Sequence, residues 1–463
     1  MRLKLDDTIA AIATPLGAGG LGVIRISGPQ AMPIACCVFR DRHGRRVDTL
    51  PSHRVRFGSV VDPRTGDKLD EVLLTYMRAP HSYTCEDVVE ISAHGGIGVM
   101  ARILAGLVAA GARVAEPGEF TKRAFLNGRL DLAQAEAVID LIQAQTEMSH
   151  RQALMQLEGG LSQLIAAMRE DLLDVLAHVE GAMEFPEEDL GLLPWDALRA
   201  KVVDVEARIA ALLSSFHAGR VLREGVQVVI VGRPNVGKSS LFNALLAANR
   251  AIVTPIPGTT RDILEEVVNL RGYPFRLVDT AGIRSAEDVI EREGIERARS
   301  SLEAADLVLL VLDRSEALTA ADAEAIAAVQ DKRGIVVLNK ADLPANLDFE
   351  MLTARAPDWP TVAVSCKECR GLDQLSEAMI EAVLHGQGGA VEGPKLTKLR
   401  HWEALHRAQQ SLQQARQAME QGLAGEFIAV DLRETLEWLG EIIGLNYTED
   451  LLDKIFSEFC IGK

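Results

Sequence analysis

Aromatic side chains are scarce, with tryptophan, tyrosine and phenylalanine making up 4% of the 463 residues. That excludes rows of base-stacking platforms of the kind that hold single-stranded nucleic acid. Positive charge is also in deficit: 49 Lys plus Arg stand against 66 Asp plus Glu, a formal charge of −17. This is the opposite of a polybasic nucleic-acid binder, so any RNA partner must be met locally. Cysteine is rare as well. The six residues Cys36, Cys37, Cys85, Cys366, Cys369 and Cys460 are too few for a disulfide framework, and reduced thiols are expected. Cys366 and Cys369 have the spacing of half a zinc site, but no second pair completes it. Long apolar runs are missing too. The uncharged stretch 9–24 holds Pro15 and four glycines, which reads as strand, glycine turn and strand rather than a signal-peptide core. No later run reaches the roughly 18 residues needed to span a bilayer. A cytoplasmic chain with no membrane association is expected.

What is present is ordinary globular material: 48% hydrophobic and 25% charged residues, enough for about three domains. The first 120 or so residues mix short β-type runs (21–26, 71–77, 88–92) with an apolar helical run at 97–110, the pattern of an α/β domain. From Asp131 the texture becomes helical. Leu161, Leu164, Ile165, Met168, Leu172, Val175, Leu176 and Val179 recur at three- and four-residue spacing, placing them on one face of a long helix that Gly159 and Gly160 separate from its predecessor. Residues 184–196, rich in proline and acid, read as a solvated loop. Between 226 and about 384, strand-like runs alternate with helices, the pattern of a parallel sheet wrapped by helices. After a glycine-rich connector, Leu399, Trp402, Leu405, Ala408, Leu412, Ala415 and Met419 again repeat at helical spacing. The fold class expected is α/β plus all-α: an N-terminal α/β domain (1–125), a discontinuous helical domain (126–222 and 389–463), and a mostly parallel, doubly wound phosphate-loop domain (223–388) inserted in it.

The inserted unit carries the clearest chemistry. The strand 226–231 runs into Gly232-Arg233-Pro234-Asn235-Val236-Gly237-Lys238-Ser239, a phosphate loop whose backbone N–H groups face phosphates, with Ser240 continuing the helix start. Lys238 is expected to reach the β and γ phosphates and Ser239 to ligate Mg²⁺. A second strand, 275–278, ends in Asp279-Thr280-Ala281-Gly282, where Asp279 can hold Mg²⁺ through water and the Gly282 N–H can touch the γ-phosphate. A third, 334–338, ends in Asn339-Lys340-Ala341-Asp342. Asp342 discriminates the base: its carboxylate only accepts, and guanine offers N1–H and a 2-amino group where adenine offers neither. Ser365, Cys366 and Lys367, after a strand at 361–364, suit a backbone N–H contact to guanine O6. Four elements in this order define a GTPase domain.

Hydrolysis needs a further group, because Ile283 stands where Ras-like enzymes place a water-orienting glutamine. Within the polar run 285–293, Glu291 is a candidate general base, with Glu287, Asp288 and Glu293 equally placed by sequence and a plain solvated loop as the simpler alternative. No arginine finger is identifiable. Asn235, with carbonyls of the segment before 258–262, suits a monovalent cation that would neutralise the transition state. Taken alone, Cys460 reads as a small buried hydrophobe beside Phe456 and Phe459. The basic clusters Arg40, Arg42, Arg45, Arg46 and Lys395, Lys398, Arg400 read as solvated surface rather than RNA contacts.

Taken together, Ala13-Thr14-Pro15 through Arg25-Ile26-Ser27-Gly28, His94-Gly95-Gly96, Pro117-Gly118-Glu119-Phe120, Arg123-Ala124-Phe125-Leu126-Asn127, Gly258-Thr259-Thr260-Arg261-Asp262 and Phe459-Cys460-Ile461-Gly462-Lys463 resemble the bacterial tRNA-modification GTPase family MnmE (TrmE) over nearly the whole chain. The resemblance implies a homodimer formed through an N-terminal domain that binds 5-formyl- or methylene-tetrahydrofolate. Arg25, Glu90, Arg129 and Lys463 match the folate contacts, with Arg129 standing where a relative has Lys. It implies GTP contacts from Thr254, Pro255, Ile256, Pro257, Gly258, Thr259 and Thr260. K⁺ would be held at Asn235, Thr254, Ile256 and Thr259, and Mg²⁺ at Ser239 and Thr260. It selects Glu291 as the catalytic glutamate and gives Cys460 a part in the modification chemistry. It further implies a heterotetramer with an FAD-dependent partner of the MnmG type, placing an aminomethyl or carboxymethylaminomethyl group on the wobble uridine C5 of certain tRNAs. A ribosome-assembly GTPase and a small-molecule kinase are the alternatives. Neither a KH-like GxxG nor a second phosphate loop is present for the first, and Asp342 disfavours the second.

Overall fold

In the computed structural model the described residues are 6–184, 193–249, 265–279, 300–348, 350–352, 358–384 and 393–463. The chain opens with β1 (Ile9–Ile12), β2 (Gly19–Ser27), α1 (Ala31–Val38), β3 (Phe39–Asp41), β4 (Arg54–Val61), β5 (Lys68–Met77), β6 (Val88–Gly95), α2 (Ile97–Ala109) and β7 (Arg113–Val114). The strands form one seven-stranded sheet, ordered β3-β4-β5-β6-β2-β1-β7. It is antiparallel except where β7 runs parallel to β1. The alternation of Ile24 and Ile26 on β2 and of Val89 and Ile91 on β6 buries one face against α1 and α2. On the other face the buried Arg123 of α3 (Glu119–Leu126) gathers three carboxylates, Asp7 at 2.5 Å, Glu119 at 3.0 Å and Glu86 at 3.2 Å. A guanidinium so enclosed is stable only because its charge is met on several sides.

The helical part comprises α4 (Leu132–Gln143), α5 (Glu147–Leu157), α6 (Gly160–Glu184), α7 (Trp195–Ser214) and α8 (Phe216–Glu224). Asp131 caps α4 in a reciprocal capping box with Gln134, and Thr146 caps α5. The expected face of α6 is buried at Leu161, Ile165, Met168, Leu172, Val175, Leu176 and Val179. Leu164 departs from the expectation: it sits at the stripe's margin and is exposed. The expected loop at 184–196 is shorter at both ends, because Glu184 closes α6 and Trp195 opens α7; residues 185–192 lie outside the described ones.

The phosphate-loop unit follows: β8 (Val226–Val231), α9 (Lys238–Asn249), β9 (Glu265–Leu270), β10 (Tyr273–Asp279), β11 (Leu307–Asp313), α10 (Ala320–Ala327), β12 (Gly334–Asn339), β13 (Thr361–Ala363) and α11 (Leu372–Leu384). Its sheet has the order β13-β12-β11-β8-β10-β9, parallel throughout except that β9 pairs antiparallel with β10. All seven residues of β11 are buried, which is why a near-continuous apolar run served here as a strand. The chain then returns through α12 (Leu399–Gln421), α13 (Gly425–Ile443) and α14 (Glu449–Ser457). One apolar core unites α6 and α7 with α12 and α13, so the two helical stretches form one domain interrupted by the inserted unit. Burial of a Leu or Val side chain contributes roughly 1.5–3 kcal/mol, and this stripe supplies several from each helix.

Candidate functional site

The phosphate loop joins the end of β8 to the start of α9, aiming the first N–H groups of that helix into the loop. Asn235 adopts a left-handed backbone, φ 65°, and Gly237 has φ 99°. A Cβ at Gly237 would lie 2.1 Å from the Asn339 amide nitrogen, so only glycine lets the loop pass. The two are also bonded: Asn339 Nδ2 donates to the Val236 carbonyl at 2.8 Å. Lys238 Nζ lies 2.8 Å from the Arg233 carbonyl, keeping it over the loop.

The residues expected to read the base lie at the same end of the sheet. Asn339 and Lys340 sit where β12 ends, and Ser365 follows β13. Ser365 Oγ donates to Asp342 Oδ1 at 2.7 Å. That bond, first among the causes, holds the Asp342 carboxyl below its ordinary range, so it is ionised and acceptor-only at neutral pH. Asn339 Oδ1 meets the Cys366 N–H at 3.5 Å, tying the loop after β13 to the phosphate loop through one amide side chain. Lys340, with φ 61°, pairs with the buried Asp313 at 2.5 Å. Sequence reasoning missed Asp313; the signal available was an acid closing the buried run of β11.

A second constellation lies on the N-terminal sheet. Arg25 on β2 and Glu90 on β6 are register partners, joined by Arg25 Nε at 2.9 Å and Nη2 at 2.8 Å to Glu90 Oε1. The Arg25 guanidinium lies 5.4 Å from the Tyr83 ring and 5.7 Å from that of Phe120, and Arg129 stacks on Tyr83 at 4.9 Å while donating to its carbonyl at 2.8 Å. The segment after α14 reaches this place from the helical domain. Ile461 bridges to Pro117, and the Gly462 carbonyl accepts from Arg25 Nη1 at 3.3 Å. Gly462 has φ 95°, and a Cβ there would meet the Ile12 carbonyl at 2.5 Å, so the tail can lie against β1 only as glycine. Burial, then the neighbouring Arg25, push the Lys463 ammonium below its usual range, with Glu90 and Cys460 opposing. Arg25, Glu90, Arg129 and Lys463 are therefore one cluster. Tyr83 and Phe120, which line it, were missed.

Two expectations are corrected. Cys460 is exposed rather than buried, because Phe456 and Phe459 turn into the core with α4 and leave the residue between them and the tail outside it. Lys395 and Lys398 are buried and Arg400 is 15% exposed at its side chain, so they are not a solvated patch. Lys398 faces Asp140, and Arg400 pairs with Glu136 at 3.1 Å. Thr254, Pro255, Ile256, Pro257, Gly258, Thr259, Thr260, Thr280, Ala281, Gly282 and Glu291 lie outside the described residues, as does the side chain of Asp279. Among the described residues no cluster of His, Cys, Asp and Glu is arranged to hold a metal ion, and no helix is long and apolar enough to cross a membrane.

Comparison with known proteins decides the family. Residues 132–460 match the model of the MnmE helical domain, and 8–129 match that of the GTP-binding protein TrmE N-terminus. The chain belongs to the MnmE (TrmE) family of tRNA modification GTPases. The tRNA modification GTPase MnmE of Alkaliphilus metalliredigens is 46% identical over 459 residues, 99% of this chain and 100% of the relative. That of Geobacillus kaustophilus is 47% identical, with 99% of each chain covered, and that of Heliobacterium modesticaldum 49%, over 99% and 100%. As an MnmE-family chain it is a GTPase. Likeness to solved structures is local: the G domain of the T. maritima FeoB iron transporter is 28% identical over 34% of this chain and 98% of that one, with a TM-score of 0.26.

Proposed function

We propose that this GTPase acts on tRNA, using a tetrahydrofolate one-carbon unit at the Arg25 cluster and GTP hydrolysis in the inserted domain. An FAD-dependent MnmG-type partner would complete the reaction, adding an aminomethyl or carboxymethylaminomethyl group at the wobble uridine C5. The observation that carries this reading is the tail. It places an exposed thiol, Cys460, three residues from a lysine packed beside the Arg25–Glu90 pair, at a site lined by two aromatic rings. Aromatic faces suit a pterin ring, and Arg25, Arg129 and Lys463 supply cationic groups for a folate's glutamate. Bound folate would supply the one-carbon unit. The chain's own residues would hold and orient it and keep the Cys460 thiol alongside.

In the GTPase domain we assign Asn235, Val236, Gly237, Lys238, Ser239 and Ser240 to the phosphates, and Asn339, Lys340, Asp342, Ser365, Cys366 and Lys367 to guanine. GTP is taken with Mg²⁺, whose hard-oxygen preference suits the hydroxyls of Ser239 and Thr260 and the carboxylate of Asp279. Asn235 has a left-handed backbone and is exposed, which leaves its amide oxygen open to K⁺ together with Thr254, Ile256 and Thr259. K⁺ would stand in for an arginine finger, and Glu291 would act as general base. Two copies pairing through their N-terminal domains fit this scheme. Domain boundaries at 125/126, 222/223 and 388/389 divide the chain accordingly.

Binding of 5-formyl-tetrahydrofolate by the full chain, followed calorimetrically, tests the proposal. Arg25→Ala removes the cation that both Glu90 and the tail share and is expected to weaken binding at least tenfold, about 1.4 kcal/mol. Equal affinity in wild type and variant, or no binding by either, contradicts the assignment.

A further inference from the structure

The scheme above uses Cys366 in the loop assigned to guanine but gives no part to Cys369 or to the pairing of the two thiols. Ser365 and Arg370 close that loop as a backbone pair, Ser365 N–H donating to the Arg370 carbonyl at 3.0 Å and Arg370 N–H returning to Ser365 at 3.1 Å. The four residues between them form a tight turn, stiffened by the Glu368 N–H, which donates to Ser365 Oγ at 3.2 Å. The first and last residues of such a turn have Cα atoms less than about 7 Å apart, within the span a disulfide bridges. Cys369 has a left-handed backbone, φ 53°, and its sulfur already folds back to 3.9 Å from the Cys366 carbonyl. Both thiols are free, and they differ in character. Cys369 is exposed. Cys366 is half-buried against the core of the sheet, and burial, followed by the nearby Cys369 and Asp342, pushes its thiol up to about 11.

We propose that Cys366 and Cys369 are a modification site, a dithiol that low-molecular-weight disulfides oxidise to an intraloop disulfide, weakening guanine-nucleotide binding. The exposed Cys369 attacks first, as its thiolate, on one sulfur of the small disulfide and expels the other half as a thiolate. Cys366, having lost its proton, then attacks the Cys369 sulfur of the mixed disulfide and releases the second half. Two protein thiols lose two electrons and two protons; the small disulfide gains both and leaves as two thiols. To reach its partner, the Cys366 side chain must leave the sheet core for the exposed edge. That swings the backbone N–H that meets Asn339 Oδ1, and Asn339 holds the phosphate loop through Val236. A single residue movement thus disturbs both the base-reading loop and the phosphate loop.

The proposal rests on the guanine-loop reading, and the test separates the two. The full chain is incubated with oxidised glutathione, the disulfide is mapped by peptide mass, and affinity for a fluorescent GDP is measured before and after reduction. Closure of 366 to 369 is expected to weaken GDP about fivefold or more, as loss of one hydrogen bond to the base would. Reduction should restore it, and Cys369→Ser should bind GDP normally and be indifferent to the oxidant. A mixed disulfide that never closes, or a closed loop with unchanged GDP affinity, overturns the proposal. If Asp342→Asn in the reduced chain leaves base preference unchanged, the guanine-loop reading itself has failed. If that variant does change preference while oxidation changes nothing, only the modification site has.

Discussion

At the residue scale, Asp342 is the group on which nucleotide choice would turn in the proposed scheme. Its carboxylate is held ionised by Ser365, so in the proposed guanine contact it would accept two donors from the base and repel a base that brings acceptors. Asp342→Asn exchanges one acceptor for a donor. It is expected to lower preference for GTP over xanthosine triphosphate by at least a hundredfold, about 2.8 kcal/mol, measured as competing affinities. Unchanged preference would remove Asp342 from the base contact. Glu291→Ala is expected to leave GTP affinity near wild type while slowing single-turnover hydrolysis about a hundredfold or more; unchanged turnover would take Glu291 out of its role. Asp342 could be singled out in the sequence because guanine's donors demand an acceptor just beyond the end of a buried strand. The burial of Cys460 was misjudged because a single residue between the buried Phe459 and the tail follows no periodicity, and its exposure is set by where the tail docks.

At the scale of elements, helix faces and parallel strands were readable, since a repeat of three and four residues or a short apolar run constrains one side of the backbone. Charged residues inside the helical domain were not. Lys398 and Arg400 precede and begin α12 in an ordinary-looking basic run, and only packing against α4 brings Asp140 to Lys398 and Glu136 to Arg400 and His401. His401 Nε2 lies 2.7 Å from Glu136 Oε2, both side chains almost fully buried. Burial, and then Arg400, hold His401 below its ordinary value of 6.5 despite the opposing Glu136. Glu136 is itself held far below its usual range: burial acts against this, but His401 and Arg400 prevail. Both shifts have the same sign. The unfolded chain takes up protons that the folded helices refuse, so stability is full above about pH 6.5 and declines as pH falls below it, more steeply once unfolded glutamate titrates. Unfolding midpoints followed by tryptophan fluorescence from pH 8 to pH 5 should fall accordingly, and His401→Gln should flatten that leg. A flat wild-type profile would show His401 protonated in the fold.

At the scale of the molecule, two sites on different domains are joined through helices. The tail that ends at Lys463 continues α14, which packs on α4. Arg223, at the end of α8 and just before β8, pairs with Asp140 on that same α4 at 2.9 Å. Thr146, which caps α5, donates to the Gly272 carbonyl at the turn between β9 and β10, the hairpin that links the segment after 258–262 to Asp279. The GTPase domain therefore enters and grips the helical domain close to the helix that seats the tail. The domain order could be read from texture along the chain, but these junctions could not, because each is a single side chain meeting a backbone far away in sequence.

In the proposed GTPase scheme, K⁺ held at Asn235 replaces an arginine finger. That claim is tested by GTP turnover of the full chain in KCl and in NaCl at equal ionic strength. Turnover at least tenfold faster in KCl, with the difference abolished by Asn235→Ala, is the predicted result. Equal turnover in the two salts would contradict it and leave Asn235 a structural residue of the phosphate loop.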